Sequence, residues 1–200
     1  SGQIKNALIV AGENGRPLID GTILSLHAPE LTRKSIKPYF ANLTVGCASV
    51  AAVISGEPKY KSENSLQLSS ATVQVDSSAS TLCEGGSGSG ESLEMLTESE
   101  LLLKAGIALA RTTWNTFKNN IGWSEDTPDR IICHQVGKQH QMQLYEALNL
   151  NIKKDYSTFP VLGNVGSVSL PITLAKALES NFAKPQDKFA LLGIGSGLSC

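Results

Sequence analysis

Asp129-Arg130-Ile131-Ile132-Cys133-His134-Gln135-Val136-Gly137 is the stretch on which the reading of this chain turns. Its first half is a short apolar run with the composition of a strand, Asp129 to Cys133, and it delivers His134 to the carboxyl end of that strand. From Gly137 to Leu148 the pattern becomes helical, with Met142, Tyr145 and Leu148 along one apolar stripe. Downstream, Leu162-Gly163-Asn164-Val165-Gly166-Ser167 is a glycine-punctuated turn leading into a helix from about Leu170 to Phe182, where Pro171 occupies the first turn, as helix starts favour. Lys188 to Leu192 then reads as a second strand, running into Gly193-Ile194-Gly195-Ser196-Gly197.

The same alternation extends upstream. Ile4 to Gly12 is an apolar run that stops at a turn-rich Glu13-Asn14-Gly15-Arg16-Pro17, which predicts a buried strand running into a loop. Leu43 to Ile54 places Gly46 inside a run of small and β-branched residues, as a strand does where another backbone comes close. Leu66 to Val75 partly alternates and predicts a further strand, and Glu84 to Glu91 has the composition of a linker or, the favoured reading, a surface loop. Ser99 is a candidate N-cap for a helix with Leu102, Ala105, Leu109 and Thr112 on one face. Strands alternating with helices predict an α/β fold with a mainly parallel sheet, in which sites form beyond the carboxyl ends of the strands. His134 and the glycine loop of 193–197 stand at such ends.

Composition narrows the function classes. The 200 residues, 41% hydrophobic, suffice for a substantial core, and 17 basic against 18 acidic residues leave no basic run for nucleic acid or an anionic membrane surface. No stretch is long and apolar enough to span a bilayer, and Ser1-Gly2-Gln3-Ile4-Lys5 lacks the pattern of a signal peptide, so a soluble, cytoplasmic protein is expected. Cys47, Cys83, Cys133 and Cys200 form no C-x-x-C pair and are expected to be reduced thiols.

The glycines after the last strand are not expected to make a dinucleotide site, because a pyrophosphate needs a helix N-terminus directly after them and Leu198-Ser199-Cys200 does not read as one. They leave open a loop that offers backbone N–H groups to a developing oxyanion. His134 and His140 lie six residues apart, on different faces of a helix, so no metal site and no bound cofactor is expected. Cys47 tempts as a nucleophile beside glycine amides, but it lies inside a strand-like apolar run and is read as a buried structural thiol. A histidine at a strand end is, by itself, more often a hydrogen-bonded structural residue than a catalyst.

Three segments change that weighing: Ile132-Cys133-His134-Gln135-Val136-Gly137, then Gly163-Asn164-Val165-Gly166-Ser167-Val168-Ser169-Leu170-Pro171, then Gly193-Ile194-Gly195-Ser196-Gly197-Leu198-Ser199-Cys200. In order and separation they resemble the C-terminal half of a thiolase-superfamily condensing enzyme of the ketoacyl-synthase III type. Gln-Val-Gly after His134 and the Gly-Ile-Gly-Ser-Gly-Leu ending resemble the OleA branch, which joins two long-chain acyl-CoAs head to head. The resemblance implies a layered αβαβα thiolase fold, with residues 1–60 as the end of its N-terminal half and 61–200 as its C-terminal half. It implies that His134 and Asn164 hydrogen-bond the enolate oxygen of one acyl thioester and that the Ser196 N–H serves the oxyanion on the other. The nucleophilic cysteine and the α-proton acceptor fall upstream of Ser1 in such enzymes, and relatives also continue past Cys200, so both ends read as cut.

The reading implied is an acyltransferase performing Claisen-type condensation on acyl-CoA or acyl-carrier-protein substrates, completed by an N-terminal half and assembled as a homodimer. The alternatives are decarboxylative initiation of fatty-acid synthesis, a non-catalytic partner subunit, and acyl-CoA binding without chemistry. A chain lacking its other half is expected to bury Ile4 to Gly12 poorly and to be insoluble when made alone.

Overall fold

The computed structural model describes residues 4–63, 65–87, 93–184 and 186–200. Its centre is a parallel pair, β5 (Arg130–Cys133) and β6 (Phe189–Leu192), in the register Arg130 to Phe189 and Cys133 to Leu192. Parallel strands require a crossover, and the chain supplies it with helices α3 (Lys138–Ala147), α4 (Phe159–Leu162) and α5 (Ser169–Glu179). Ile131, Ile132 and Cys133 are sealed from solvent, which is why this strand reads as a continuous apolar run without alternation. Around it close Ala110 and Trp114 of helix α2 (Ser99–Ile121), Leu144 and Tyr145 of α3, and Leu148 and Leu150 beyond it. Phe117 stacks on Trp114 and meets Trp123 edge-on, extending that core along α2.

Helix α2 begins at Ser99 with Glu98 in the capping position, one residue before the expected cap, and ends at Gly122 in the left-handed conformation (φ 69°). Its buried face is Gly106, Ala110, Thr113 and Trp114, not the Leu102–Ala105–Leu109–Thr112 stripe. Small residues decide this: a Cβ on Gly106 would lie 2.9 Å from Ile194 Cδ1, so the helix turns its least bulky side to the loop after β6. On α3, Tyr145 and Leu148 are buried as expected, but Met142 is 52% exposed and Leu144 takes its place in the core. Helix α5 begins where the Pro171 pattern predicts, within a residue.

The strands upstream pair differently from expectation. β1 (Asn6–Asn14) and β2 (Cys47–Ser55) form an antiparallel ladder from Asn6–Ser55 to Asn14–Cys47, and β3 (Cys83–Ser87) and β4 (Leu93–Thr97) form an antiparallel hairpin. Among the described residues, therefore, only β5 and β6 are parallel, and the mainly parallel sheet is corrected. The expected strand over Ile4–Gly12 is present, but Leu8, Ile9 and Val10 are exposed rather than buried. Glu84 to Ser87 of the glycine-serine stretch is strand and not loop; positions 88–91 lie outside the described residues.

Leu66 to Val75 is not a strand. Its alternation finds a ladder partner only at the end, where the Gln74 and Cys200 backbones exchange hydrogen bonds of 2.9 Å and the Asp76 N–H donates to the Leu198 carbonyl. Helix α1 (Arg16–Ser25) is tied to the rest by buried Asn42, whose Nδ2 donates to Thr22 Oγ1 and to the Met95 carbonyl of β4. No described helix is long and apolar enough to cross a membrane.

Candidate active site

His134 is held by the sheet one residue past the end of β5. Its N–H donates to the Leu192 carbonyl at 2.9 Å, continuing the parallel ladder and fixing its position against the last residue of β6, just before the glycine loop. Burial pushes the imidazole down to about 4, with His140 nearby adding to the effect. The ring is therefore neutral at pH 7, with one N–H to donate and no charge to shed. Gln135, buried behind it, donates to the Cys133 carbonyl at 2.7 Å and accepts from Ser157 Oγ at 2.8 Å and from the Phe159 N–H at 3.3 Å. The strand end is thereby tied to the start of α4.

Asn164 sits two residues past the end of α4, on a backbone crossing that only glycines permit. The Asn164 N–H donates to the Thr44 carbonyl and the Gly46 N–H to the Asn164 carbonyl, both at 2.8 Å. A Cβ on Gly46 would lie 1.8 Å from the Leu162 carbonyl oxygen, and one on Gly163, at φ 69°, would lie 2.4 Å from that of Thr44. The close backbone approach read from Gly46 is therefore real, and its consequence is to hold Asn164. The side chain is oriented in turn: Oδ1 accepts from the Gly166 N–H at 3.0 Å and from Ser169 Oγ at 3.5 Å. That leaves Nδ2 as a free donor, with no partner among the described residues.

The third element is the loop after β6. The Gly195 and Ser199 backbones exchange hydrogen bonds of 2.9 and 3.0 Å around Gly197 at φ 96°, which leaves the Ser196 N–H exposed and without a partner among the described residues. The elements that carry these residues approach one another in two places. Leu192 holds His134, and a Cβ on Gly193 would rest 3.5 Å from Leu170, the neighbour of the Ser169 that orients Asn164.

Cys47 differs from expectation. It is exposed at the start of β2, its Sγ 3.6 Å from Asn14 Oδ1, because β2 carries no cover on that side among the described residues. It borders an open cleft of about 510 Å³ between Leu43–Gly46 and Phe159–Gly163, whose floor ends one residue short of Asn164. Cys133 is buried, and desolvation pushes its thiol far above the ordinary range, so it is no nucleophile. All four cysteines are free, and no cluster of metal-ligating side chains occurs among the described residues.

One group escaped the sequence. Asp155, which follows Lys153-Lys154 and reads as surface, turns inward to Tyr145 and Gln141 of α3 and to Cys133. No local spacing signals it, because its partners come from two other elements.

Comparison with known proteins bears on the fold and the family. Residues 119–200 match the family described as 3-oxoacyl-[acyl-carrier-protein (ACP)] synthase III C terminal. An acyl-CoA:acyl-CoA alkyltransferase of Shewanella oneidensis is 36% identical over the whole of this chain and 58% of its own length. A crystal structure of Xanthomonas campestris OleA superposes with a TM-score of 0.90 at 31% identity, covering 100% of this chain and 56% of that one. A further structure of that protein, with lauric acid and lauroyl-CoA bound, gives 0.89 at 31% identity, covering 100% and 57%. The α/β architecture is thus of the thiolase type. The chain belongs to the thiolase-superfamily condensing enzymes, in their OleA branch, and corresponds to the C-terminal portion of its relatives. It spans a little over half the length of the relatives it matches.

Proposed function

We propose that this chain carries the oxyanion-stabilising half of an acyl-CoA condensing enzyme. The observation that carries the reading is the pair of unspent donors: the neutral His134 imidazole, whose backbone is held by Leu192, and Asn164 Nδ2, held by both backbone and side-chain anchors. Two aimed donors on one oxygen suit a thioester carbonyl as it becomes an enolate, and each is worth about 2.7–4 kcal/mol of barrier. The resulting carbanion equivalent attacks the carbonyl of an acyl group held as a cysteine thioester. The Ser196 N–H stabilises the tetrahedral oxyanion, and its collapse expels the cysteine thiolate and leaves a β-keto product. Neither that cysteine nor the acceptor of the α-proton is assigned to this chain: Cys133 is sealed, and Cys47 lies on an open strand.

Residues 1–60 are read as the end of the N-terminal thiolase half and 61–200 as the C-terminal half. An N-terminal half covering the exposed apolar residues of β1 and β2, pairing of complete units as a homodimer, and a cytoplasmic location complete the proposal. Substrates are fatty acyl-CoAs, in keeping with the names of the relatives. The test is to supply the full-length protein with acyl-CoA alone. A β-keto product without a malonyl donor is expected. An absolute malonyl requirement replaces the reading with decarboxylative synthase III chemistry, and binding without product replaces it with a non-catalytic subunit.

A further inference from the structure

Asp155 closes the short turn Ile152–Lys154 and lies beside the edge of β5 that β6 does not cover. Its backbone pairs with Ile131 in a parallel bridge, and the Tyr156 N–H donates to the Ile131 carbonyl at 3.3 Å. The carboxyl collects donors from two other elements. Tyr145 Oη donates to Oδ1 and Gln141 Nε2 to Oδ2, both from α3, while the thiol and backbone N–H of Cys133 approach from β5. Burial raises the carboxyl to about 6 despite these donors. An apolar side chain would fill such a place at lower desolvation cost, so the carboxyl is explained by geometry rather than by stability. The residue after Cys133 is His134, and α3 is also the helix that brings His140 near its ring.

We propose that Asp155 is a positioning residue for His134: it caps the open edge of β5 at Cys133, locks α3 to that strand end, and so sets the direction in which the imidazole leaves the sheet. Its catalytic consequence rests on the condensing function proposed above; its structural consequence does not.

The experiment compares D155A, D155N and Y145F in the full-length protein by two readouts. The first is the His134 imidazole resonance, assigned by its loss in H134Q and titrated by NMR. In D155A it is expected to move and broaden, and its pKa to rise from about 4 toward 6.5 as water reaches the strand end. D155N, which keeps one acceptor oxygen, is expected to restore the wild-type signal, and Y145F to displace it in the same direction by less. The second readout is condensation of acyl-CoA, where D155A is expected to lower kcat roughly 10–100-fold with KM within about twofold, the pattern of a misaimed donor. An unchanged His134 signal in folded D155A overturns the proposal, as does a loss confined to KM. Should D155A not fold, an unchanged signal in Y145F overturns it equally. Failure of the unaltered protein to condense acyl-CoA would sink the functional reading and leave the NMR outcome to judge the positioning.

Discussion

The strand pair β5/β6 and the ladder β1/β2 are built from similar residues and live in opposite surroundings. Ile131 and Ile132 of β5 have no exposed surface, whereas Leu8 and Val10 of β1 are each 68% exposed and Val53 of β2 is 71% exposed. Apolar composition therefore predicts a strand in both places but burial in only one. What separates them is cover: α2 and the crossover helices α3 and α5 pack against β5, and none of the described helices covers the exposed apolar residues of β1 in the same way. Of the proposed donors, His134 stands at the end of the covered pair, where its backbone is held by Leu192 and its ring is desolvated.

That contrast can be broken most directly by truncation. In the full-length protein Ile132→Ala is expected to cost about 2–5 kcal/mol in urea unfolding, and Leu8→Ala a similar amount because the proposed N-terminal half covers β1. A Leu8→Ala loss of no more than about 0.5 kcal/mol would mean that β1 stays uncovered. The next largest effect concerns chemistry alone. His134→Ala should lower condensation turnover by about 10²–10³-fold while the unfolding midpoint stays close to wild type, and unchanged turnover would remove His134 from the site. Gly46→Ala drives a methyl group into the Leu162 carbonyl and should destabilise by about 1–3 kcal/mol, with Asn164 displaced. A crystal structure of that variant with Asn164 in place would contradict the crossing argument.

The smallest effect is the pH dependence of stability around β5. His134 has its pKa lowered from 6.5 to about 4, so the unfolded chain binds more protons through that window and stability rises with pH there; His140 acts in the same direction. Asp155 has its pKa raised from 3.8 to about 6, so the folded state binds more protons and stability falls as pH rises through that range. The two slopes oppose each other. D155N should therefore stabilise more steeply than wild type between about pH 4 and 6, and H134A less steeply, as read from thermal midpoints across that range.

The elements nearest the candidate site were legible in the sequence, and so was one long-range contact. Short apolar runs, one ending at His134 and one at Gly193, marked β5 and β6, Pro171 marked the start of α5, and Gly46 signalled a backbone crossing before its partner was known. The alternation of Leu66 to Val75 misled, because a period of two describes a strand's faces and says nothing of a neighbouring strand to pair with. Cys47 misled for a related reason: Gly46 and Ala48 on either side of it are half-buried, but its own side of the strand is exposed.

By itself the sequence determined which residue types stand at which strand and helix ends, because periodicity, proline and glycine act on the backbone within a turn or two. The order of its three motifs was enough to mark the family. Tertiary structure alone decided which face of α2 is buried, that β1 pairs antiparallel with β2, that Met142 is exposed, and that Asp155 turns inward to the strand bearing His134. These depend on contacts between residues far apart in the chain, and burial and pKa follow from what packs against a group rather than from what precedes it.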